Sequence, residues 1–429
     1  TFFGGLNILN LNSERFAYFK HDPLNKNTLS YNVVSAMVED KKGNVWVGTE
    51  GGGLNYFDFK SQSFSRIKSF NGHSFEFNTI KSLLIDKNNN LWIGTHLFGL
   101  IALNFKSGKI LRFYNEDNNE NSLSDNSVIS LIEDNLGKIW IGTESGLNLY
   151  DPKTSDIKRV KLNKNNMSII ALLEDSKNNI WVGTRLNGLF SIGNGTIEHF
   201  INIPQDKNSL GHNGVYYIFE DSEKRLWVST YGGGLNLMDK TNGIFKRYRV
   251  KDGLINDVVY NIVESNEYLW IATPSGISKF NLQAKQFKNY SPNNGLPIEE
   301  LNIQSSLKHS SGNLFFGGFN GLISFNPKNT PDNPFAPNIH ITDLKLLNKS
   351  ILPNDESELL KKNISETKEI TFSHNQNIFS IEFIALNYFQ LGQNQYAYML
   401  EGLDPDWNYV ENNRSATYTN LEPGNYTFK

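Results

Sequence analysis

Apolar and polar residues alternate along this chain in short runs, and each run stops at Gly, Asn, Asp or Pro. Alternation with period two gives a strand one inward and one outward face. Residues 128–162 show the unit: VISLIED, KIWIGT, GLNLYDP and IKRVKL read as four short strands joined by tight turns. Helical period is almost absent, and DESELLKK (355–362) is the best short candidate. The unit recurs. Its second strand carries Trp46, Trp92, Trp140, Trp181, Trp227 and Trp270, with Phe315 in the same place, at spacings of 46, 48, 41, 46, 43 and 45 residues. A period of roughly 40–50 fits propeller blades, helical HEAT arrays or kelch units. Four strands per unit select a β-propeller.

Three features of the unit read as structural. Trp46 and Gly48 share one face of their strand, and a large ring beside a missing side chain suits packing against a neighbouring sheet. Ser229 and Ala272 replace this glycine and stay small. The tryptophans are therefore packing groups, not a sugar-stacking row. The turn before the tryptophan strand repeats as EDKKGNVW, EDNLGKIW, EDSKNNIW and EDSEKRLW. Its Asp40, Asp134, Asp175 and Asp221 can bond the backbone two residues on and hold the turn. One Asp per blade does not supply the converging oxygens calcium needs. The turn loosely resembles the aspartate box of sialidase propellers. An asparagine precedes most first strands (Asn32, Asn78, Asn126, Asn213, Asn256 and Asn302, with Asn166 one place out of register) and suits a turn.

The opening TFFGGLNILN aligns without a gap on TEGGGLNYFD, Thr1 on Thr49, so the chain starts inside a blade. The seventh unit supplies three strands (IQSSLKHSS, NLFFGG, GLISFNP) and then runs into KNTPDNPFAPN without a fourth. RFAYFK (15–20) is a spare strand of the right kind, and closing the ring with it avoids a bare edge. The expected division is a seven-bladed propeller over 1–327, with 1–13 as a remnant of an upstream propeller, and a linker over 328–338 holding Pro331, Pro334 and Pro337. Over 339–429 the repetition ends, and alternating runs such as EITFSHNQNIFSIEFIAL and QYAYMLEGL read as a partial Ig-like sandwich. The fold class is all-β.

Composition narrows the function. Lys and Arg number 41 against 44 Asp and Glu, a net charge of -3 with no long basic run, which excludes a nucleic-acid footprint. No stretch approaches the roughly 20 apolar residues of a membrane helix. Cysteine is absent, so disulfides and Cys-based metal or redox sites are excluded. No cluster of metal ligands is evident, and no cofactor is expected.

The LWIGT…GGL blades with NSLSDNSV and ED..G resemble the two-component regulator propeller repeat. QYAYMLEGLDPDWNYVENNRSATYTNLEPGNYTFK resembles the three-tyrosine (Y_Y_Y) domain that follows it, through Tyr396, Tyr398, Leu400, Glu401, Gly402, Trp407, Arg414, Tyr418, Pro423, Gly424 and Tyr426. The resemblance covers nearly the whole chain. It implies the periplasmic sensor region of a hybrid two-component system, sensing a glycan and joined to a membrane helix and histidine kinase outside this chain. A homodimer through the sandwich is a further expectation. No kinase motif lies in these residues, and no catalytic residue is assigned.

In a four-stranded meander, the loop between strands two and three and the link to the next blade lie at the same end. Seven such loops would ring one mouth of the channel. Their side chains vary while the frame repeats, so Glu50, His96, Phe98, Glu144, Arg185, Asn187, Tyr231 and Phe319 are the candidate ligand-binding residues. Three functions remain open. An oligosaccharide sensor uses these loops for binding. A propeller glycosidase or lyase would need two carboxylates, such as Glu50 and Glu144, about 5–9.5 Å apart. A protein-interaction scaffold would leave the loops as a solvated rim.

Overall fold

The computed structural model describes residues 16–75, 77–162, 166–292, 295–298, 300–329, 337–386, 394 and 396–429. The suggested upstream remnant (1–13) and residues 330–336 of the linker lie outside them. The described residues fall into two compact units, one within 11–330 and one within 331–429.

The first unit is a seven-bladed propeller. Blades 1 to 6 run their four strands in chain order, starting with Val34–Glu39, Ile80–Ile85, Val128–Glu133, Ile169–Glu174, Val215–Glu220 and Asn261–Ser265. Blade 7 holds Leu301–Lys308, Leu314–Gly318 and Gly321–Phe325, and its outer strand is Ala17–Phe19 from the other end of the chain. The closing pairs are Ala17 with Ser324, Tyr18 with Ile323 and Phe19 with Leu322, so RFAYFK does close the ring. Aromatic rings fix both ends of that short strand: Phe16 lies edge-on to Phe325 at 4.9 Å, and Phe19 edge-on to Phe57 of blade 1 at 5.1 Å.

First strands of successive blades touch one another all the way round. The apolar core therefore lies between the sheets. Trp181 and Leu189 of blade 4, for example, pack with Val215, Leu226, Val228 and Phe245 of blade 5. The small residue two places after the tryptophan, or after Phe315, permits this approach, and it is glycine in every blade except 5 and 6. A Cβ on Gly48 would stand 2.6 Å from Ile80 of the next blade, and one on Gly317 would stand 2.7 Å from Val34 across the ring closure.

The aspartate turns hold more than themselves. In blade 3 one oxygen of Asp134 accepts from the backbone N–H of Leu136 and Lys138. The other accepts the indole N–H of Trp140 at 3.0 Å. The same bond joins Trp181 to Asp175 at 3.0 Å and Trp227 to Asp221 at 2.8 Å. Asp86, which the sequence pattern did not single out, receives Trp92 at 3.0 Å. Burial alone would push the Asp175 carboxyl up. The bonds from Trp181, Asn179 and Lys177 outweigh burial and hold it below the ordinary carboxyl value. The Glu that ends the first strand, or nearly ends it, reaches the turn of the previous blade: Glu220 accepts from Ser176 N–H, Glu264 of blade 6 from Ser222 N–H, and Glu39 from Ser310 N–H across the closure.

Three blades vary the scheme. In blade 1 the Tyr56 hydroxyl donates to Asp40 at 2.7 Å. Blade 6 has lost one residue of the turn and its aspartate, and the fully buried Trp270 indole N–H has no hydrogen-bond partner among the described residues. Blade 7 has His309 at the Asp position, with Phe315 in place of the tryptophan.

The asparagines ahead of the first strands are structural as well. Asn32, Asn126 and Asn213 accept from the backbone N–H of His21, Asn115 and Asn202, each bond pinning the link that enters its blade.

In the second unit, Lys349–Ser350, Asn338–Leu346, Ile378–Leu386 and Ser415–Thr419 form one sheet in that order. Two strand pairs accompany it, Tyr396–Tyr398 with Asn408–Glu411 and Leu400–Glu401 with Thr427–Phe428. Leu344, Phe379, Phe383, Tyr396, Leu400 and Tyr418 share its core. DESELLKK is not a helix. The Asp355 carboxylate accepts from Leu352 and Ser357 N–H, which makes a local turn, and the short 3-10 turn comes later at Ile364–Glu366.

Two predictions follow from the carboxylate–indole bond. Trp227→Phe and Trp270→Phe remove similar buried ring area, but only Trp227 loses a bond to a charged acceptor. Chemical denaturation should show Trp227→Phe costing about 1.5–3 kcal/mol more than Trp270→Phe. Equal losses would refute the role given to the aspartate. The second concerns pH. A carboxyl depressed in the folded state contributes stability above its unfolded value, about 4, and loses that contribution as pH falls through the folded value. Unfolding free energy of the wild type should therefore drop more steeply below about pH 4 than that of Asp175→Asn.

Candidate functional site

The mouth opposite the aspartate turns carries the variable loops. In blades 1 to 6 each sits on a strand end held by the second-strand threonine, which blade 7 replaces with Gly318: Thr49 and Thr230 hydroxyls donate to Gly53 and Gly234 carbonyls, while Thr95 and Thr184 hydroxyls accept from Phe98 and Asn187 N–H. These bonds fix the loop backbone and leave the side chains free to differ.

The structure distributes the candidate residues unevenly. Glu50 is bonded to Lys81 of the next blade at 2.7 Å. Glu144 is bonded to Arg185 of the next blade at 2.8 Å. Each carboxylate thus faces a cation, and the structure pairs neither with the other. His96 Nδ1 lies 3.2 Å from the Ser127 hydroxyl. Phe98 and Phe319 stand exposed on their own loops. Asn187 receives the His199 ring on its carbonyl oxygen at 2.6 Å. Among the described residues no group of three or more His, Cys, Asp or Glu could hold a metal.

Tyr231 is different because other aromatics converge on it. Its ring centroid lies 5.3 Å from Tyr216 and 6.1 Å from His212, and Tyr216 in turn stacks on Tyr260 at 6.3 Å. A β-bulge explains Tyr216. Pairing with the second strand skips from Val215 to Tyr217, which takes Tyr216 out of the ladder. The same skip occurs in blades 1 to 4, at Ser35, Lys81, Ile129 and Ile170. Blade 5 alone of these five has an aromatic residue at the bulge. Tyr260 directly precedes the first strand of blade 6, and a bridge from Tyr231 to Val258 brings that segment close.

The patch is partly desolvated. Burial, then the Glu300 carboxylate and the neighbouring Tyr216 and Tyr231, push the Tyr260 phenol up to about 12. Burial also raises Tyr216, against the opposing charge of Arg185. Both phenols stay protonated at neutral pH and can donate hydrogen bonds. Sequence reasoning reached Tyr231 and Arg185 but not Tyr216 or Tyr260. Two shallow clefts lie beside the outer strand of blade 5 (Ile244–Tyr248). There Arg247 is bonded to the Ser209 carbonyl and Arg249 to Asp257.

Known families match this arrangement. The two component regulator propeller repeat matches residues 28–51, 74–96, 122–145, 163–185 and 209–232, and the Y_Y_Y domain matches 387–429. The chain carries regulator propeller repeats followed by a Y_Y_Y domain. Histidine kinase P4 of Formosa agariphila is 31% identical over 99% of the chain, which spans 32% of that protein. The extracellular domain of BT3049 of B. thetaiotaomicron, assigned to a hybrid two component system, superposes with a TM-score of 0.73 at 27% identity, covering 96% of this chain and 54% of that one. An inactive virginiamycin B lyase from Staphylococcus aureus shares only the fold, at 14% identity and a TM-score of 0.54 over 72% of this chain and 98% of its own. The chain thus spans about a third to a half of the two more similar relatives. The matched families are a sensor propeller and its sandwich, not a catalytic domain.

Each matched regulator repeat ends at the mouth. Glu50, His96, Glu144, Arg185 and Tyr231 are the last or next-to-last residues of the five spans. The recurring part of the repeat is the frame, and it stops where the candidate side chains begin. The environment of Tyr260 can be checked by ultraviolet titration of the phenols. Tyr260→Phe should remove a component that ionises near 12, well after the exposed tyrosines. Loss of a component near the ordinary value of about 10 would refute the desolvated patch.

Proposed function

We propose that this chain is the extracellular ligand-sensing module of a hybrid two-component receptor. The ligand is an oligosaccharide bound at the loop mouth of the regulator propeller. The observation that carries the reading is the match over 96% of the chain to the BT3049 extracellular domain. The mouth supports it chemically, because a rigid repeating frame presents half-exposed aromatic and polar groups, the mixture that sugar rings and hydroxyls require. In this reading the Y_Y_Y domain passes the signal towards a membrane helix and a histidine kinase outside this chain, and the module works in the periplasm. Signalling without chemistry needs only a difference in ligand affinity between two receptor states, about 1–3 kcal/mol in typical coupling. The pairing of Glu50 with Lys81 and Glu144 with Arg185 weighs against a glycosidase carboxylate pair.

The test is calorimetric titration of the purified chain with a panel of neutral, uronate-containing and sulfated oligosaccharides, followed by chromatography of the mixtures. Binding with no shorter products is expected. Conversion of any bound oligosaccharide would overturn the sensor reading in favour of an enzyme, and binding to none would overturn the oligosaccharide.

A further inference from the structure

The mouth has approximate seven-fold repetition in its backbone, yet its side chains are not equivalent. Three phenols from separate chain positions meet on blades 5 and 6, with Tyr216 between Tyr231 and Tyr260. Tyr231 is 50% exposed, while Tyr216 is buried. The backbone under Tyr231 is anchored on both sides, by its N–H to the Gly214 carbonyl at 2.9 Å and by the bridge to Val258. His212 beside it is fixed by accepting from Gly214 N–H at 2.9 Å. An exposed ring on so fixed a base loses little freedom when a ligand covers it. Of the other exposed mouth aromatics, Phe98 and Phe319 offer no phenol to a hydroxyl, and Tyr31, which lies against Gly51 of the blade 1 loop, has like them no ring within stacking range among the described residues.

The charges around the patch bear on ligand class. Arg185, which reaches Tyr216 electrostatically, is already bonded to Glu144 at 2.8 Å. Glu300 directly precedes the first strand of blade 7, where its backbone carbonyl accepts from Phe319 N–H at 3.1 Å, and its carboxylate acts on Tyr260 as a negative charge. A carboxylate there repels an anionic substituent and accepts from sugar hydroxyls, while a protonated phenol donates to them. One open aromatic face with donors and an acceptor at its edge suits the apolar face of a single sugar ring. A cation would favour several exposed faces around it.

We infer that this off-axis patch, rather than the whole ring of loops, holds the ligand, and that it takes a neutral pyranose stacked on Tyr231 with Tyr260 and Glu300 bonding its hydroxyls. The inference rests on the oligosaccharide reading above and adds its place and charge.

The test uses the whole chain and neutral oligosaccharides from xylan, mannan, laminarin and agar, alongside sulfated and uronate-containing ones. Tyr231→Ala should weaken binding of the recognised neutral oligosaccharide by about 30-fold or more, the scale of a binding hot spot. Tyr260→Phe should weaken it by about 10-fold, the scale of one buried hydrogen bond. Leu136→Ala, which removes an exposed apolar side chain from an aspartate turn, should leave affinity unchanged. Binding should also perturb the phenol absorption of the wild type, and Tyr231→Ala should lose most of that change. Tyr260→Phe keeps the ring and the fold, so it decides the matter if Tyr231→Ala is unstable. Unchanged affinity in both tyrosine variants, with loss in Phe98→Ala, would overturn the patch and leave the sensor reading standing. Binding of anionic oligosaccharides alone would overturn the neutral class. Binding of none would remove the oligosaccharide reading and the patch together.

Discussion

A buried carboxylate that accepts an indole N–H is the contact on which the propeller depends. Asp86, Asp134, Asp175 and Asp221 each sit almost fully buried at the end of a first strand and bond a tryptophan six residues on. A carboxylate taken out of water is costly unless its lone pairs are used. Here one oxygen closes the turn and the other fixes the ring. The tryptophan is then held in one orientation while it packs against the neighbouring sheet, so a local turn sets the surface that the next blade meets. The adjacent glutamates extend the same logic between blades, Glu220 on Ser176 and Glu264 on Ser222. Because Glu39 bonds Ser310, this lattice also runs across the place where the two ends of the chain meet.

That concentration of fixed bonds at one mouth frees the other. Mouth loops are anchored through backbone and threonine hydroxyls, and few of their side chains are needed to hold the blade. Lys81, Ile129 and Tyr216 occupy the same bulge position in three blades with unrelated chemistry. A bulge takes one residue out of the ladder without breaking the strands on either side. Repeated in five blades, it gives the propeller a set of positions outside the ladder between its first two strands.

The legible part of this molecule was the part with period. Seven tryptophan-strand units, a small residue two places on, and the missing fourth strand of blade 7 all follow from spacing, and they led to the closing strand Ala17–Phe19. The aspartates were recognisable as turn formers. Their bond to tryptophan was not, because no sequence rule relates a turn residue to a strand residue six positions later. Asp86 was overlooked because Ile85, not Glu, precedes it. Tyr216 and Tyr260 were invisible for a different reason. In alternation Tyr216 reads as an ordinary strand residue and Tyr260 as a link residue, and only the bulge and the Tyr231 bridge bring them together. Glu50 and Glu144 were legible as mouth residues, but their partners Lys81 and Arg185 belong to the next blade, which spacing alone does not bring alongside.

Blade 6, which follows Tyr260, is also the blade where the local rules break. It lacks the aspartate, leaves the Trp270 indole N–H without a hydrogen-bond partner among the described residues and pairs its first two strands without a bulge. It buries Lys279 over the rings of Tyr268 and Trp270, at 4.0 and 5.6 Å. Departures from consistency tend to collect where function has been placed, and stability lost there must be made up by neighbours. Blade 5 supplies that support on one side, since Asp221 holds Trp227 and Glu264 of blade 6 grips the blade 5 turn at Ser222. The tyrosine patch thus straddles a strongly braced blade and a weakly braced one.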